Sequence, residues 1–289
     1  KIFADAEVAA QLEKRGIRLS SANSINWGRL VPQIVYYFYT YFRLAADGAV
    51  AWGDPVDFCV PTGNFGDILA GYYAKRMGLP VGRLVCASNE NNVLTDFIRT
   101  GTYDARRDFH KTASPSMDIL ISSNLERLLY HVSGSTEKVA GWMKDLAAQG
   151  HYTVDAATLA AIQESFACGC ADDAQGAGEI RDRFEQDGYL CDTHTAVAAN
   201  VMEQYRQATG DETVTVFVST ASPYKFGDSV LTAIGETPAA DSLDRISQMQ
   251  EITGVPAPRR LAALKGKPRR FDLTCEKAGM DGVVLDFLK

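Results

Sequence analysis

The chain has 289 residues, of which 46% are hydrophobic, 22% charged and 10% aromatic, so it can bury a sizeable core and matches neither a disordered nor a collagen-like composition. With 36 acidic against 29 basic side chains, its net charge of -7 excludes the broad positive field that non-specific nucleic-acid binding relies on. Six cysteines, without paired CxxC spacing, give neither a disulfide framework nor a zinc ligand set, which fits a reducing, cytoplasmic setting.

Residues 1–15 show helical spacing at Phe3, Val8 and Leu12 and stop at Gly16. Ser20 and Ser21 offer caps to a second helix over residues 25–44, whose buried face is expected to hold Trp27, Leu30, Ile34, Tyr37 and Phe38. Its most apolar part, residues 31–42, contains Pro32 and falls well short of the roughly 20 residues of a membrane span, so none is expected. The run VDFCV at 56–60 predicts a buried strand, PTGNFGD a turn, residues 68–77 a helix closed by Gly78 and Pro80, and RLVCA at 83–87 the next strand. That is a βαβ unit, hence a parallel sheet with a right-handed crossover. DILIS at 118–122 predicts a further strand, followed by helices over 125–132 and 138–149; residues 150–188 read as a peripheral helical insertion. An amphipathic helix is expected over 193–206, the strongest strand pattern is VTVFV at 214–218, a helix runs from Phe226 towards Ile234, and the tail after Pro256 is basic. The fold class is α/β, a parallel sheet flanked by helices.

Three places carry residue types suited to chemistry. Gly63, Asn64, Phe65, Gly66 and Asp67 stand between a strand and the first turn of a helix, where glycines let the backbone wrap closely and unpaired N–H groups meet the positive end of the helix dipole. A phosphate fits such a nest, although a plain strand-to-helix turn uses the same residues. The loop lacks the Lys-Ser/Thr ending of a Walker A motif and the third glycine of a dinucleotide fingerprint, which disfavours nucleoside triphosphate and NAD. Ser219, Thr220, Ala221 and Ser222 follow the strongest strand, at the carboxyl end where ligands of open sheets bind, and equally suit a helix cap. Asn23, Ser24 and Arg29 gather near a helix start and suit an oxyanion, or a cap whose arginine pairs with a surface carboxylate. His194 reads as a helix N-terminal residue with no nucleophile beside it, and Lys225 as a solvated lysine. Cys168 and Cys170 form a CxC pair without further ligands, so no metal site is expected.

Taken in order, SSANSINWGRLVPQIVYYFYTYF, VPTGNFGDILAGYYAKRMGLP, ASNENNVLTDFIRTG, DTHTAVA and STASPYKF resemble threonine synthases of the long type found in fungi and many bacteria. The resemblance spans nearly the whole chain and is specific as a set, each motif alone being weak. It implies a pyridoxal 5'-phosphate enzyme of the tryptophan-synthase-β-like fold, fold type II, that converts O-phospho-L-homoserine and water to L-threonine and phosphate. On that resemblance Gly63, Asn64, Phe65, Gly66 and Asp67 cradle the cofactor phosphate and Thr220 partners the pyridine nitrogen, a neutral hydroxyl there tempering the ring's electron withdrawal. Asn23, Ser24 and Arg29 match positions that hold the substrate phosphate, Arg29 as the charged clamp. Gly28 stands where alanine is expected, and Ser222 where relatives often carry histidine.

One departure matters more. The family's Schiff-base lysine lies in a Ser-Phe-Lys-Asp segment upstream of everything matched here, and none of the eleven lysines sits in that context. The chain opens on Lys1, and the expectation is a C-terminal portion of a longer polypeptide, itself inactive, in which residues 1–45 finish a smaller domain and bridge to a large cofactor domain over 46–289. The rival expectations are a non-catalytic relative or fragment that binds a phosphorylated ligand, and a related lyase for another phosphorylated amino acid. Neither nucleic acid nor membrane is an expected partner, and the reading leaves monomer and dimer open.

Overall fold

The computed structural model describes residues 2, 5–268 and 270–288; Phe3 and, in the basic tail, Arg269 lie outside them. The first helix, α1 (Ala6–Glu13), starts where the Asp5 carboxylate accepts the N–H groups of Glu7 and Val8, the bond that gives Asp its preference for a helix start. The helix expected over 25–44 is divided at Pro32, which has no N–H to donate and restricts the residue before it. Its pieces are α2 (Trp27–Leu30), a 3-10 turn (Val31–Gln33) and α3 (Ile34–Ala46). Leu30, Tyr37 and Tyr41 are buried as the spacing requires, but Trp27 is 50% exposed and does not share that face.

The βαβ unit forms as expected. Strand β1 (Val56–Pro61), helix α4 (Gly66–Arg76) and strand β2 (Val81–Ser88) follow one another, and the two strands pair in parallel with Phe58 opposite Leu84, Cys59 opposite Val85 and Val60 opposite Cys86. Strand side chains alternate between faces, so Phe58, Val60, Leu84 and Cys86 meet Ile68 and Leu69 of α4, while Cys59, Val85 and Ala87 face the other way. Then come α5 (Val93–Thr100), closed by Gly101 in the left-handed region at φ 76°, and a short strand β3 (Thr102–Asp104).

The strand expected at DILIS does not form: residues 118–122 are irregular and follow a 3-10 turn (Pro115–Met117). The Asp118 carboxylate instead accepts from the side chains of Asn89, Asn91 and Thr112, a local alternative to a strand ladder. Helices α6 (Leu125–Ser133) and α7 (Thr136–Gln149) lie where the pattern put them.

Residues 150–188 are not the helical insertion expected. They supply β4 (His151–Thr153), antiparallel to β3, then α8 (Ala156–Ser165), β5 (Phe166–Cys170) and α9 (Asp173–Asp187). Strand β5 joins the main sheet beside β2, with Cys168 opposite Cys86, so this segment builds part of the central scaffold. Helix α10 (Thr193–Thr209) also differs from its amphipathic pattern, for its first two turns are buried on every side between the sheet and α9. Strand β6 (Thr215–Phe217) completes a four-stranded parallel sheet in the order β5-β2-β1-β6. A 3-10 turn (Pro223–Phe226) leads into α11 (Gly227–Ala233), which packs with α9 and α12 (Ser242–Thr253) around Ile180, Leu231 and Met249. The tail carries α13 (Arg259–Ala262) and α14 (Met280–Phe287).

Candidate functional site

Beyond the carboxyl ends of β1 and β6 a cleft of about 840 Å³ opens, its walls including Ser24 and Arg29, Gly63 to Asp67, and Ser219 and Thr220. Three segments far apart in sequence thus meet at the edge where ligands of open parallel sheets bind. Ala221 and Ser222 are absent from these walls, and so is Asn23. Its Oδ1 accepts from Ser21 Oγ at 2.9 Å and from the Ile25 N–H at 3.1 Å, so the side chain shapes the turn that carries Ser24.

The nest is built by one unusual residue. Phe65, at φ 62°, ψ 10°, is the non-glycine residue in the left-handed region among those described, and it sits at the N-cap of α4. No side chain of the described residues caps this helix start, which leaves the first amides of α4 with the positive end of its dipole available to an anion. The Phe65 ring, 1% exposed, packs 5.6 Å from Phe166 and anchors the turn. Gly63 has no room for a side chain, since a Cβ would stand 2.8 Å from the Ser116 carbonyl oxygen and 3.1 Å from Met117 Cα.

Asp67 lies in the first turn of α4, on the cleft wall. Tyr37 Oη donates to its backbone oxygen at 2.8 Å and to its carboxylate at 3.1 Å. Burial pushes Asp67 up to about 6, with the Tyr37 hydrogen bond pulling the other way; burial and then the Asp67 carboxylate raise Tyr37 well above its ordinary value.

Sequence reasoning missed Asn124. Fully buried, it donates from Nδ2 to the Asn64 carbonyl at 2.9 Å and to the Ser24 carbonyl at 3.2 Å, and its backbone N–H bonds Asn64 O at 3.1 Å. Arg127 donates to Asn124 Oδ1 and, at 2.8 Å, to the Ile25 carbonyl. One asparagine therefore pins the segment carrying Ser24 to the anion nest. Read along the chain it is only a polar residue before a helix. Arg29 is exposed and donates to the Ala22 carbonyl, so its guanidinium keeps donors for a ligand.

Thr220 is exposed in the lining of the same cleft, and no side chain among the described residues engages its hydroxyl. No lysine is among the cleft-lining residues described. Lys225 is exposed on the 3-10 turn, beside the Phe226 ring. Cys168 and Cys170 lie in β5, and no group of three His, Cys, Asp or Glu among the described residues could hold a metal ion. No helix among them is long and apolar enough to cross a membrane.

Residues 195–281 match the family model "Threonine synthase, C-terminal". Among curated proteins, threonine synthase-like 1 of Homo sapiens is 42% identical over 238 residues, 81% of this chain and 32% of that protein. Threonine synthase of Schizosaccharomyces pombe is 35% identical over 93% of this chain and 55% of its own length. Among solved structures, the PLP-bound threonine synthase of Brucella melitensis superposes with a TM-score of 0.81 and 36% identity, over 99% of this chain and 55% of that one. The chain spans about half the length of those two synthases and about a third of the human protein. It is a homologue of threonine synthases and corresponds to their C-terminal portion.

Proposed function

We propose that this chain supplies the phosphate-holding half of a pyridoxal 5'-phosphate-dependent threonine synthase, which converts O-phospho-L-homoserine and water to L-threonine and phosphate. The observation that carries this reading is the convergence of an uncapped helix start, a free hydroxyl and an arginine on one cleft. The residues fit the cofactor: the amides after Gly63 suit a phosphate, and Thr220 across the cleft offers a neutral hydroxyl to a ring nitrogen. Bound there, pyridoxal phosphate supplies an electron sink for carbanions beside the amino group.

On this reading the chain's own residues bind and orient the substrate. Arg29 and Ser24 hold the substrate phosphate at the mouth, Asn23 shapes their turn, and Arg29 offsets charge that grows on the departing phosphate. Asn124 keeps that clamp in register with the nest, so the reacting carbons stay near the cofactor. The absence of lysine from the described walls favours a second reading, a phosphate-binding chain without chemistry of its own. Both readings predict that the isolated chain makes no threonine, because no lysine is among the described residues of the cleft to carry the cofactor and move protons.

The test is titration of the chain with pyridoxal 5'-phosphate and with O-phosphohomoserine, followed by a turnover assay on the chain alone and in the presence of the N-terminal half of a homologous synthase. Binding of both compounds, with turnover only in the presence of the added half, supports the proposal. Binding without turnover in either case selects the second reading, and turnover by the chain alone overturns both.

A further inference from the structure

Two parts of the cleft lining share a buried polar support. Asp192, His194 and Thr195, all in or beside the first turn of α10, are 0%, 2% and 4% exposed. The Ser116 backbone N–H donates to His194 Nε2 at 3.2 Å. A backbone N–H can only donate, so Nε2 is unprotonated and the ring proton sits on Nδ1, which faces Asp192 Oδ1 at 3.0 Å and Thr193 Oγ1 at 3.3 Å. Asp192 also accepts the His194 N–H at 2.9 Å and the Thr195 hydroxyl, and Thr195 Oγ1 meets Ser219 Oγ at 3.2 Å. The Phe226 ring closes over the imidazole at 4.8 Å.

Each arm ends on a cleft wall. Ser116 belongs to the turn whose carbonyl lies against Gly63 of the nest, and Ser219 immediately precedes Thr220. We infer that Asp192, His194 and Thr195 form a positioning relay that sets the spacing between the anion nest and the Thr220 hydroxyl, and so the length of ligand that spans the cleft. None of the three is among the described residues that line the cleft. The inference deepens the reading of the cleft as a pyridoxal phosphate site and rests on it.

The experiment pairs a ligand-free measurement with binding. Nitrogen NMR of the unliganded chain is expected to find His194 protonated on Nδ1 and bare on Nε2, with a strongly protected Ser116 amide; a proton on Nε2 overturns the relay whatever the cleft binds. Titration then compares pyridoxal 5'-phosphate with inorganic phosphate. Thr195→Val, nearly isosteric, removes the hydroxyl that meets Ser219 and donates to Asp192 but leaves the Ser116–His194 arm in place, and is expected to weaken pyridoxal phosphate about five- to tenfold while leaving inorganic phosphate unchanged; Thr195→Ser restores the affinity. His194→Leu removes the acceptor for Ser116 and is expected to weaken both ligands by a similar factor, with His194→Gln, whose side-chain oxygen can take the same N–H, closer to wild type. Equal losses of both ligands in Thr195→Val and Thr195→Ser would overturn the relay. Failure of the unaltered chain to bind pyridoxal phosphate, with the Nδ1 tautomer found as expected, sinks the cofactor reading and leaves the structural relay standing.

Discussion

A Cβ built on Gly63 would stand 2.8 Å from the carbonyl oxygen of Ser116, closer than real contacts allow, so the anion nest and the turn beneath it are packed backbone to backbone. That contact predicts a clear outcome for Gly63→Ala. The backbone has to move, which costs about 1–3 kcal/mol in a urea unfolding series and weakens inorganic phosphate in a calorimetric titration. Gly178, within α9 and with nothing near its missing Cβ, is the comparison: Gly178→Ala is expected to stabilise by about 0.5–1 kcal/mol and leave phosphate binding alone.

Phe65→Ala tests the anchor of the same loop. The ring is buried against Phe166, and truncation is expected to cost about 3–5 kcal/mol. Phe65→Gly deletes the same ring and relieves the left-handed conformation, so it is expected to be less harmful than alanine by about 1 kcal/mol. Thermal unfolding of the two variants side by side reads that difference; an alanine variant as stable as the glycine variant would mean the backbone is not strained there.

Asp67 gives a pH dependence of unusual sign. Burial holds its carboxyl at about 6, above the ordinary value, so the folded chain binds the proton more tightly than the unfolded chain. Stability from this group is complete below about pH 4 and is lost as the pH rises through about 6. Asp67→Asn, which keeps an acceptor for Tyr37, is therefore expected to gain on the order of 1–3 kcal/mol over wild type between pH 4 and 7, with phosphate binding strengthened only above about pH 6. Denaturant midpoints across that range decide it: parallel curves for the two proteins would contradict the assignment.

Asn124→Ala is expected to lower stability by about 1–3 kcal/mol, because two carbonyls and the Arg127 guanidinium lose a buried partner. Its functional signature separates it from Arg29→Met. The asparagine variant is expected to weaken both pyridoxal phosphate and O-phosphohomoserine, the arginine variant O-phosphohomoserine alone. Losses confined to one ligand in Asn124→Ala would show that the two phosphate positions are not coupled through it.

The sequence was legible where one element carries its own signature. VDFCV and RLVCA are short, mainly apolar runs bounded by turn residues, interrupted only by Asp57 and Arg83, and such runs mark strands buried on both faces. FACGC at β5 was not, because Phe166 both closes α8 and opens the strand, with no turn residue between, and Gly169 adds no side chain to the pattern. DILIS has the alternation of a strand, yet Asp118 finds better partners in Asn89, Asn91 and Thr112. Within the candidate site, glycines and hydroxyls at element ends could be read locally. Asn124 could not, for its partners lie 60 and 100 positions away, and His194 acts on an amide 78 positions earlier.

The strand order β5-β2-β1-β6 also bears on how the chain folds. Its centre is a local βαβ unit, whereas both outer strands are recruited from distant parts of the sequence, and β6, three residues long, pairs among the described residues with β1 alone. Closing loops of that length delays the reward from the contacts they bring, so refolding is expected to be set by long-range closure and to be slow for a molecule so rich in helix. Because Thr220 follows this last strand, competence to bind is expected to arrive with the late events of folding, after most of the helical signal has returned.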